Sequence, residues 1–401
     1  MRSVFLPFAP PTISQEEITE VIDTLSSDWI TTGPKVKKFE EMFAQYIGSE
    51  TALALNSCTA GLHLALIALG IGPGDEVITT PMTFCSTVNV IEQVGAHPVL
   101  VDVQPDTLNI SPELIEKAVT EKTKCILPVH YAGHPCEMDT IKEIARTKNL
   151  YIVEDAAHAF SARYKGQKVG TIGDLTAFSF YVTKNITTAE GGMLTGNPEF
   201  IEKARIYSLH GMSKDAWKRY DKGSSWYYEV VYPGFKYNMT DIHASIGLRQ
   251  LQKIETFQSR RREIAHKYDE AFSEYPYFEI PCRLPNIEHA WHLYVLRLNL
   301  ETLRIDRDQF IEELKERKIG TSVHFIPIHL HPYYRKKYGY KPEDYPVAYF
   351  NFKRIISLPI YPRMSDQDIA DVIEAVVDVA EKYKRENFST VLAELYGSKE
   401  T

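Results

Sequence analysis

Between residues 51 and 196, short apolar runs alternate with stretches of helical spacing, and this leaves few folds open. The runs are TALAL, EVITT, HPVLVDV, KCILPVH, LYIVED, LTAFSFY and GGMLTG. Between several of them, segments such as GLHLALIALG and MDTIKEIARTKN place apolar residues at helical intervals. Continuously apolar strands are buried on both faces, and helices in the connections supply the cover. The expectation is an α/β domain with a mixed, mostly parallel sheet flanked by helices. In such sheets, ligands sit beyond the carboxyl ends of the strands.

The flanking segments complete the plan. Ser14 and Glu17 form a capping box ahead of a first helix, and Gly33-Pro34 turns the chain into a second helix spaced by Val36, Phe39, Phe43 and Ile47. Residues 212–237, aromatic and polar without clean period, read as a long loop or short hairpin. From about Thr240 to Ser273 the pattern predicts one long helix that connects two domains. After it come a strand (AWHLYVLRLNL), a helix (DRDQFIEELKERKI), a second strand (GTSVHFIPIH) and a final helix (SDQDIADVIEAVVDVAEKYKREN). The expected division is a large α/β domain over residues 1–245 and a smaller α+β domain over 246–401.

Charge and cysteine usage exclude some classes of function. A net charge of −8 argues against general nucleic-acid binding. The cysteines Cys58, Cys85, Cys125, Cys136 and Cys282 are odd in number and form no CxxC, so they read as free thiols in a reducing compartment. The start carries no secretory pattern and no apolar run is long enough to span a bilayer, so a cytoplasmic location is expected. His329 and His331 alternate without supporting carboxylates, and no metal site is expected.

The chemistry-bearing residues stand at expected strand ends. Asp155 closes LYIVED, and Lys184 follows the aromatic strand that contains Ser179. An acid and an amine in one crevice make either a salt bridge or the two contacts that pyridoxal phosphate requires: an amine for its aldehyde and a carboxylate for its ring nitrogen. Asn56, Ser57, Cys58 and Thr59 stand where a strand turns into a helix, as an ordinary cap or as an anion cradle of backbone N–H groups. Phe84, at the start of another helix, is core or a platform for a planar ring. The order is anion turn, aromatic, Asp, Ser, Lys, and it is the layout of a fold-type-I pyridoxal-phosphate enzyme.

The stretches WITTGPKVKKFE, NSCTAGLHLAL, EDAAHAF, FSFYVTKNITTAEGG, YNMTDIHASIG and VHFIPIH, with the HG of LHGM, resemble the DegT/DnrJ/StrS sugar aminotransferases. The resemblance implies that Lys184 bonds to the cofactor and then carries the proton. It implies that Asp155 pairs with the ring nitrogen, His158 lies beside the ring, and Thr59, Ala60 and Ser179 hold the phosphate. Phe84 would stack on the ring. Asn238 would reach the phosphate of a partner subunit, because the family forms homodimers with composite sites. Some relatives carry histidine at position 184 and dehydrate sugars; this chain keeps lysine, which favours transamination. A Thr/Gly cluster after Lys184 is expected to let the backbone turn closely around the cofactor.

The expected reaction moves the amino group of L-glutamate, leaving 2-oxoglutarate, onto a nucleotide-linked 4-keto sugar. A UDP sugar for a cell-surface glycan or lipid A-type modification comes first, with dTDP-4-keto-6-deoxy or UDP-2-acetamido-4-keto sugars as alternatives. Thr31, His324, His329 and Trp226 are the substrate candidates. Lys214, Lys218 and Arg219 form either a diphosphate contact or a solvated face, and Trp226, Tyr227 and Tyr228 either stack on the substrate or cover a dimer interface. A cysteine desulfurase would need a motif around Cys282, which has none. A ligand-sensing regulator would be expected to show a degraded Lys184 or Asp155, and both are intact. A nicotinamide dehydrogenase would need G-x-G-x-x-G where NSCTAG stands.

Overall fold

The computed structural model of the protein describes residues 2–212 and 227–385. Every apolar run becomes a strand of one 7-stranded sheet. The strands are β1 (Ala52–Leu55), β2 (Glu76–Thr79), β3 (His97–Leu100), β4 (Thr123–Ile126), β5 (Tyr151–Asp155), β6 (Leu175–Ser179) and β7 (Gly192–Gly196). Their spatial order is β1-β7-β6-β5-β4-β2-β3. Neighbours from β6 to β3 pair in parallel, whereas β7 is antiparallel to both β6 and β1. The carboxyl ends of β1, β2, β5 and β6 therefore open on the same edge.

The helices form for the local reasons their residues supply. Helix α1 (Gln15–Leu25) starts in the Ser14/Glu17 capping box, and α2 (Pro34–Ile47) starts at Gly33 with proline in its first turn. Val36, Phe39, Phe43 and Ile47 are buried as one stripe. Phe43 packs on Phe160, Phe178 and Phe180, which fixes the strand that leads to Lys184. Helix α3 (Cys58–Ala68) is apolar almost all round and lies buried against β6 and β7. Helix α4 (Cys85–Gln93) begins directly after Phe84.

The long helix expected from Thr240 onward is two helices, α5 (Asp241–Gln252) and α6 (Ile254–Phe272). The ladder breaks at Lys253, whose N–H closes a tight turn on the Gln250 carbonyl (3.0 Å) while its ammonium reaches Glu17 on α1 (2.8 Å). Helix α6 gives Ile254 and Phe257 to the core beneath the large sheet, and Ile264, Tyr268 and Phe272 to a second core around Tyr294, Phe310 and Val372.

That second core surrounds a three-stranded antiparallel sheet of Phe278–Glu279, Tyr294–Leu298 and Ile355–Leu358. The strand expected in GTSVHFIPIH does not form. Ser322 makes an isolated bridge to Ser357, and Ile328–Leu330 is a 3₁₀ turn. Pro327 has no N–H to give to a ladder, and the Ile328 N–H donates to Pro81 instead (2.8 Å). The middle of the sheet is Tyr294–Leu298, and the strand on its other side is Ile355–Leu358, a run the sequence reading passed over. Leu6 exchanges backbone hydrogen bonds with Lys318 and Gly320 (2.8 Å each), which ties the first residues to this core and sets Phe8 on His324. Among the described residues no helix is long and apolar enough to cross a membrane.

Candidate active site

Gly192 locates the site. In the sheet register it faces Ser179 on one side and Leu55 on the other. A Cβ at position 192 would lie 2.4–2.6 Å from the Ser57–Cys58 peptide, so the start of α3 rests directly on this glycine. The last residue of β6, the last residue of β1 and the first turn of α3 thus converge. The glycines after Lys184 were expected to clear space for a cofactor; the neighbour Gly192 clears is the α3 turn.

Ser57 caps α3, its hydroxyl accepting the Ala60 N–H (3.1 Å). The Cys58 and Thr59 amides lie in the first turn, where no intrahelical carbonyl is available to them. They point their partial positive charge toward the crevice beside Ser179. Of the expected phosphate residues, Thr59 and Ser179 fit this arrangement directly. Ala60 lends its N–H to Ser57.

Asp155 closes β5 and is buried. Its Oδ2 accepts from the Thr87 hydroxyl (2.8 Å) and its Oδ1 from the Ala157 N–H (3.1 Å). Burial pushes this carboxyl above its ordinary range, although these donors and Lys184 pull the other way. A buried carboxylate held by neutral donors still lacks a full cationic partner, and a protonated pyridine would supply one.

Lys184 sits in the turn after β6, its N–H closing on the Tyr181 carbonyl (2.9 Å). Burial lowers its amine to about 8, against the opposing pull of Cys58 and Asp155. Its Nζ lies 3.5 Å from Nε2 of His292. Three imidazoles crowd the amine: His158 and His292 have ring centroids 4.4 Å apart, and His324 is 6.4 Å from His158. Burial and the Lys184 charge keep His158 and His292 far below the usual histidine range and His324 at about 4. All three are therefore neutral near pH 7.

The aromatic wall is shared. Phe84 is exposed at the mouth, with Phe325 6.1 Å away, and Phe325 in turn stacks on His158 (5.5 Å, 18°). His324 is held by Ser357 (2.8 Å) on one ring nitrogen and stacks against Phe8. Its carbonyl takes the hydroxyl of Tyr131.

Other sequence candidates fall elsewhere. His329 is fully buried in a 3₁₀ turn against the Tyr345 ring (4.8 Å), apart from the imidazoles around Lys184. Thr31 is exposed and meets Asp241 through its carbonyl; the neighbouring Thr32 hydroxyl receives Asn238 (2.6 Å). Asn238 itself bridges to Leu55, beside the α3 turn of its own chain. Trp226, Lys214, Lys218 and Arg219 lie outside the described residues. At the base of that segment Met212 bridges antiparallel to Val230. The residues that the sequence reading did not single out are Thr87, His292 and Phe325. HAWHLYV was visible as a motif, but no spacing rule links its second histidine to Lys184.

An amine, a carboxylate, a helix-end anion cradle and an aromatic wall on one edge of this mixed sheet define a fold-type-I pyridoxal-phosphate transferase. The chain belongs to the DegT/DnrJ/EryC1/StrS aminotransferase family, whose model matches residues 11–377. Among curated proteins, an uncharacterized protein of Methanocaldococcus jannaschii is 60% identical over 377 residues, covering 94% of this chain and 98% of that protein. The spore coat polysaccharide biosynthesis protein SpsC of Bacillus subtilis is 53% identical over 380 residues, covering 94% and 98%. Among solved structures, the putative sugar aminotransferase Spr1654 of Streptococcus pneumoniae superposes with a TM-score of 0.88 at 40% identity over 94% of this chain and 98% of its own. It is described in PLP, PMP and apo forms.

Proposed function

We propose that this protein uses pyridoxal phosphate to move the amino group of L-glutamate onto the C4 carbonyl of a nucleotide-linked sugar, with a UDP sugar the first choice. The carrying observation is the buried Lys184 amine, lowered to about 8, beside His292 and within electrostatic reach of the buried Asp155 carboxyl. Support for a sugar acceptor comes from SpsC, a polysaccharide biosynthesis protein, and from Spr1654, described as a putative sugar aminotransferase. As in the family, a homodimer would complete the site, with Asn238 reaching across.

When bound, pyridoxal phosphate supplies an electron sink for the carbon that loses its proton. The residues do the rest. The Cys58 and Thr59 amides and the Ser179 hydroxyl hold the phosphate. Asp155, steadied by Thr87 and Ala157, keeps a proton on the ring nitrogen. Phe84 would stack on the ring and His158 would lie beside it. The Lys184 amine, neutral in a useful fraction near pH 8, is the group that would bond to the cofactor at rest. Once released it takes the proton from the α-carbon of glutamate, and in the second half-reaction it returns a proton to C4 of the sugar. The products are 2-oxoglutarate and a 4-amino sugar nucleotide. His324, on the small-sheet side, would meet the sugar.

The test is an absorbance spectrum of the purified protein with pyridoxal phosphate. L-glutamate is added first, then a panel of UDP- and dTDP-linked 4-keto sugars. A yellow band that glutamate bleaches and one sugar restores is the expected result and names the acceptor. A protein that stays colourless with the cofactor supplied overturns the proposal. A band that glutamate leaves unchanged overturns the donor.

A further inference from the structure

His292 lies within hydrogen-bonding reach of the Lys184 amine, and the chemistry above gives it no role. It is buried, in the short link that leads into Tyr294–Leu298. Backbone bonds tie this link to the 3₁₀ turn Tyr131–Gly133 beyond β4, Ala290 to Gly133 (2.9 Å) and Leu293 to Ala132 (3.2 Å). The Arg261 guanidinium donates to the Trp291 and Ile360 carbonyls (3.1 and 2.8 Å). Asn185, the residue after Lys184, donates to the Ala290 carbonyl (2.7 Å), so one turn anchors both the amine and the imidazole. So many bonds to so short a link fix the direction of one side chain.

The charged and titratable groups that face His292 are Lys184, His158, Arg261 and His324, and none is acidic. An imidazolium is therefore excluded by burial and by its neighbours alike. A neutral imidazole offers one lone pair. Its Nδ1 is buried without a partner, whereas Nε2 faces the amine at 3.5 Å. An ammonium has only donors to offer, so the lone pair must be on Nε2 and the proton on Nδ1.

We propose that His292 is a positioning residue for Lys184: its Nε2 lone pair receives the lysine amine whenever that amine is not bonded to the cofactor, and holds it facing the crevice. This rests on Lys184 being the reactive amine of the function proposed above. It adds no covalent step.

The experiment uses cofactor-free protein, so it does not depend on which sugar is the acceptor or on turnover. Acetylation of Lys184 by acetic anhydride is followed by peptide mass spectrometry across pH 6–11 for the native protein, His292→Leu and His292→Asn. Loss of an acceptor disfavours the ammonium, so the midpoint should fall by about half a pH unit or more in His292→Leu. His292→Asn, whose amide oxygen accepts, should stay near the native midpoint. Equal midpoints in native and Leu proteins overturn the proposal. Should the Leu variant not fold, ¹⁵N NMR of histidine-labelled native protein decides, with the Asn variant assigning the signal. An unprotonated Nε2 is expected, and a protonated Nε2 overturns it. Absence of amino transfer in the native enzyme, with the midpoint still shifted, would strike the function and leave this pairing intact.

Discussion

The Thr87 hydroxyl donates to Oδ2 of Asp155 at 2.8 Å, and Thr87 in turn meets Thr83 at 2.7 Å. The direction of this chain is set by its end. An ionised carboxylate only accepts, so Thr87 must donate to it and accept from Thr83. Thr87 on α4 and Thr83 in the bend before it thereby orient the carboxylate that would hold the ring nitrogen. Thr87→Val keeps the shape and removes the donor. A hydrogen bond to a charged group contributes about 1.5–3 kcal/mol. Pyridoxal phosphate should bind roughly tenfold or more weakly, read by absorbance titration. Unchanged affinity would mean that Ala157 alone orients Asp155.

Gly192→Ala should act through α3. The added methyl would lie 2.4 Å from the Ser57 carbonyl carbon and 2.5 Å from the Cys58 nitrogen, both backbone atoms that cannot swing aside. Overpacking of this kind costs about 1–3 kcal/mol. The variant should melt earlier and lose affinity for inorganic phosphate, because the amide cradle is what moves. A variant with native phosphate affinity would remove the α3 turn from the anion site.

The large sheet was legible because buried parallel strands declare themselves as apolar runs, and each of the seven is a strand. Asp155, Ser179 and Lys184 were legible because strand ends are fixed once the strands are known. Thr87 and His292 were not, since each meets its partner across a long separation in sequence, between elements whose docking no local pattern encodes. The strand expected at GTSVHFIPIH failed where Pro327 denies a ladder bond, and the strand at Ile355–Leu358 was passed over. The break at Lys253 has the same origin as the missed contacts. A lysine at that point has good helix propensity, and what marks the stop is its long-range contact with Glu16 and Glu17 on α1.

The ion pair of Lys253 with Glu17 gives a pH prediction. Glu17 is buried, and burial alone would raise its pKa; Lys253, Ser14 and Gln250 outweigh this and draw it down to about 2. A carboxyl depressed in the folded state contributes stability that is full above its unfolded value of roughly 4.3 and is lost as pH falls toward 2. Glu17→Gln should therefore destabilise the protein at pH 7, by about 2–3 kcal/mol if its charged hydrogen bonds behave typically. The gap between native and variant in urea unfolding should close progressively below pH 4. A gap independent of pH would assign the effect to packing of α1 rather than to charge.

Lys184 also titrates below its ordinary value, but here the charged form is the one the fold disfavours, and this yields a test of the site without any cofactor. Its folded value of about 8 lies below the ordinary lysine value, so the unfolded chain binds the proton more tightly. Between the two values the unfolded state carries more protons than the native state, and stability rises with pH through that window. Below about pH 8 both states are protonated, and the native state bears the full cost of a crowded ammonium among three imidazoles. Lys184→Met keeps the aliphatic stem and removes the charge. It should raise the melting temperature of cofactor-free protein at pH 7 and raise it much less at pH 10, where the native amine is already neutral. An equal rise at both values, or none, would mean that the lysine finds solvent in the free enzyme and that the crevice does not tune it for chemistry.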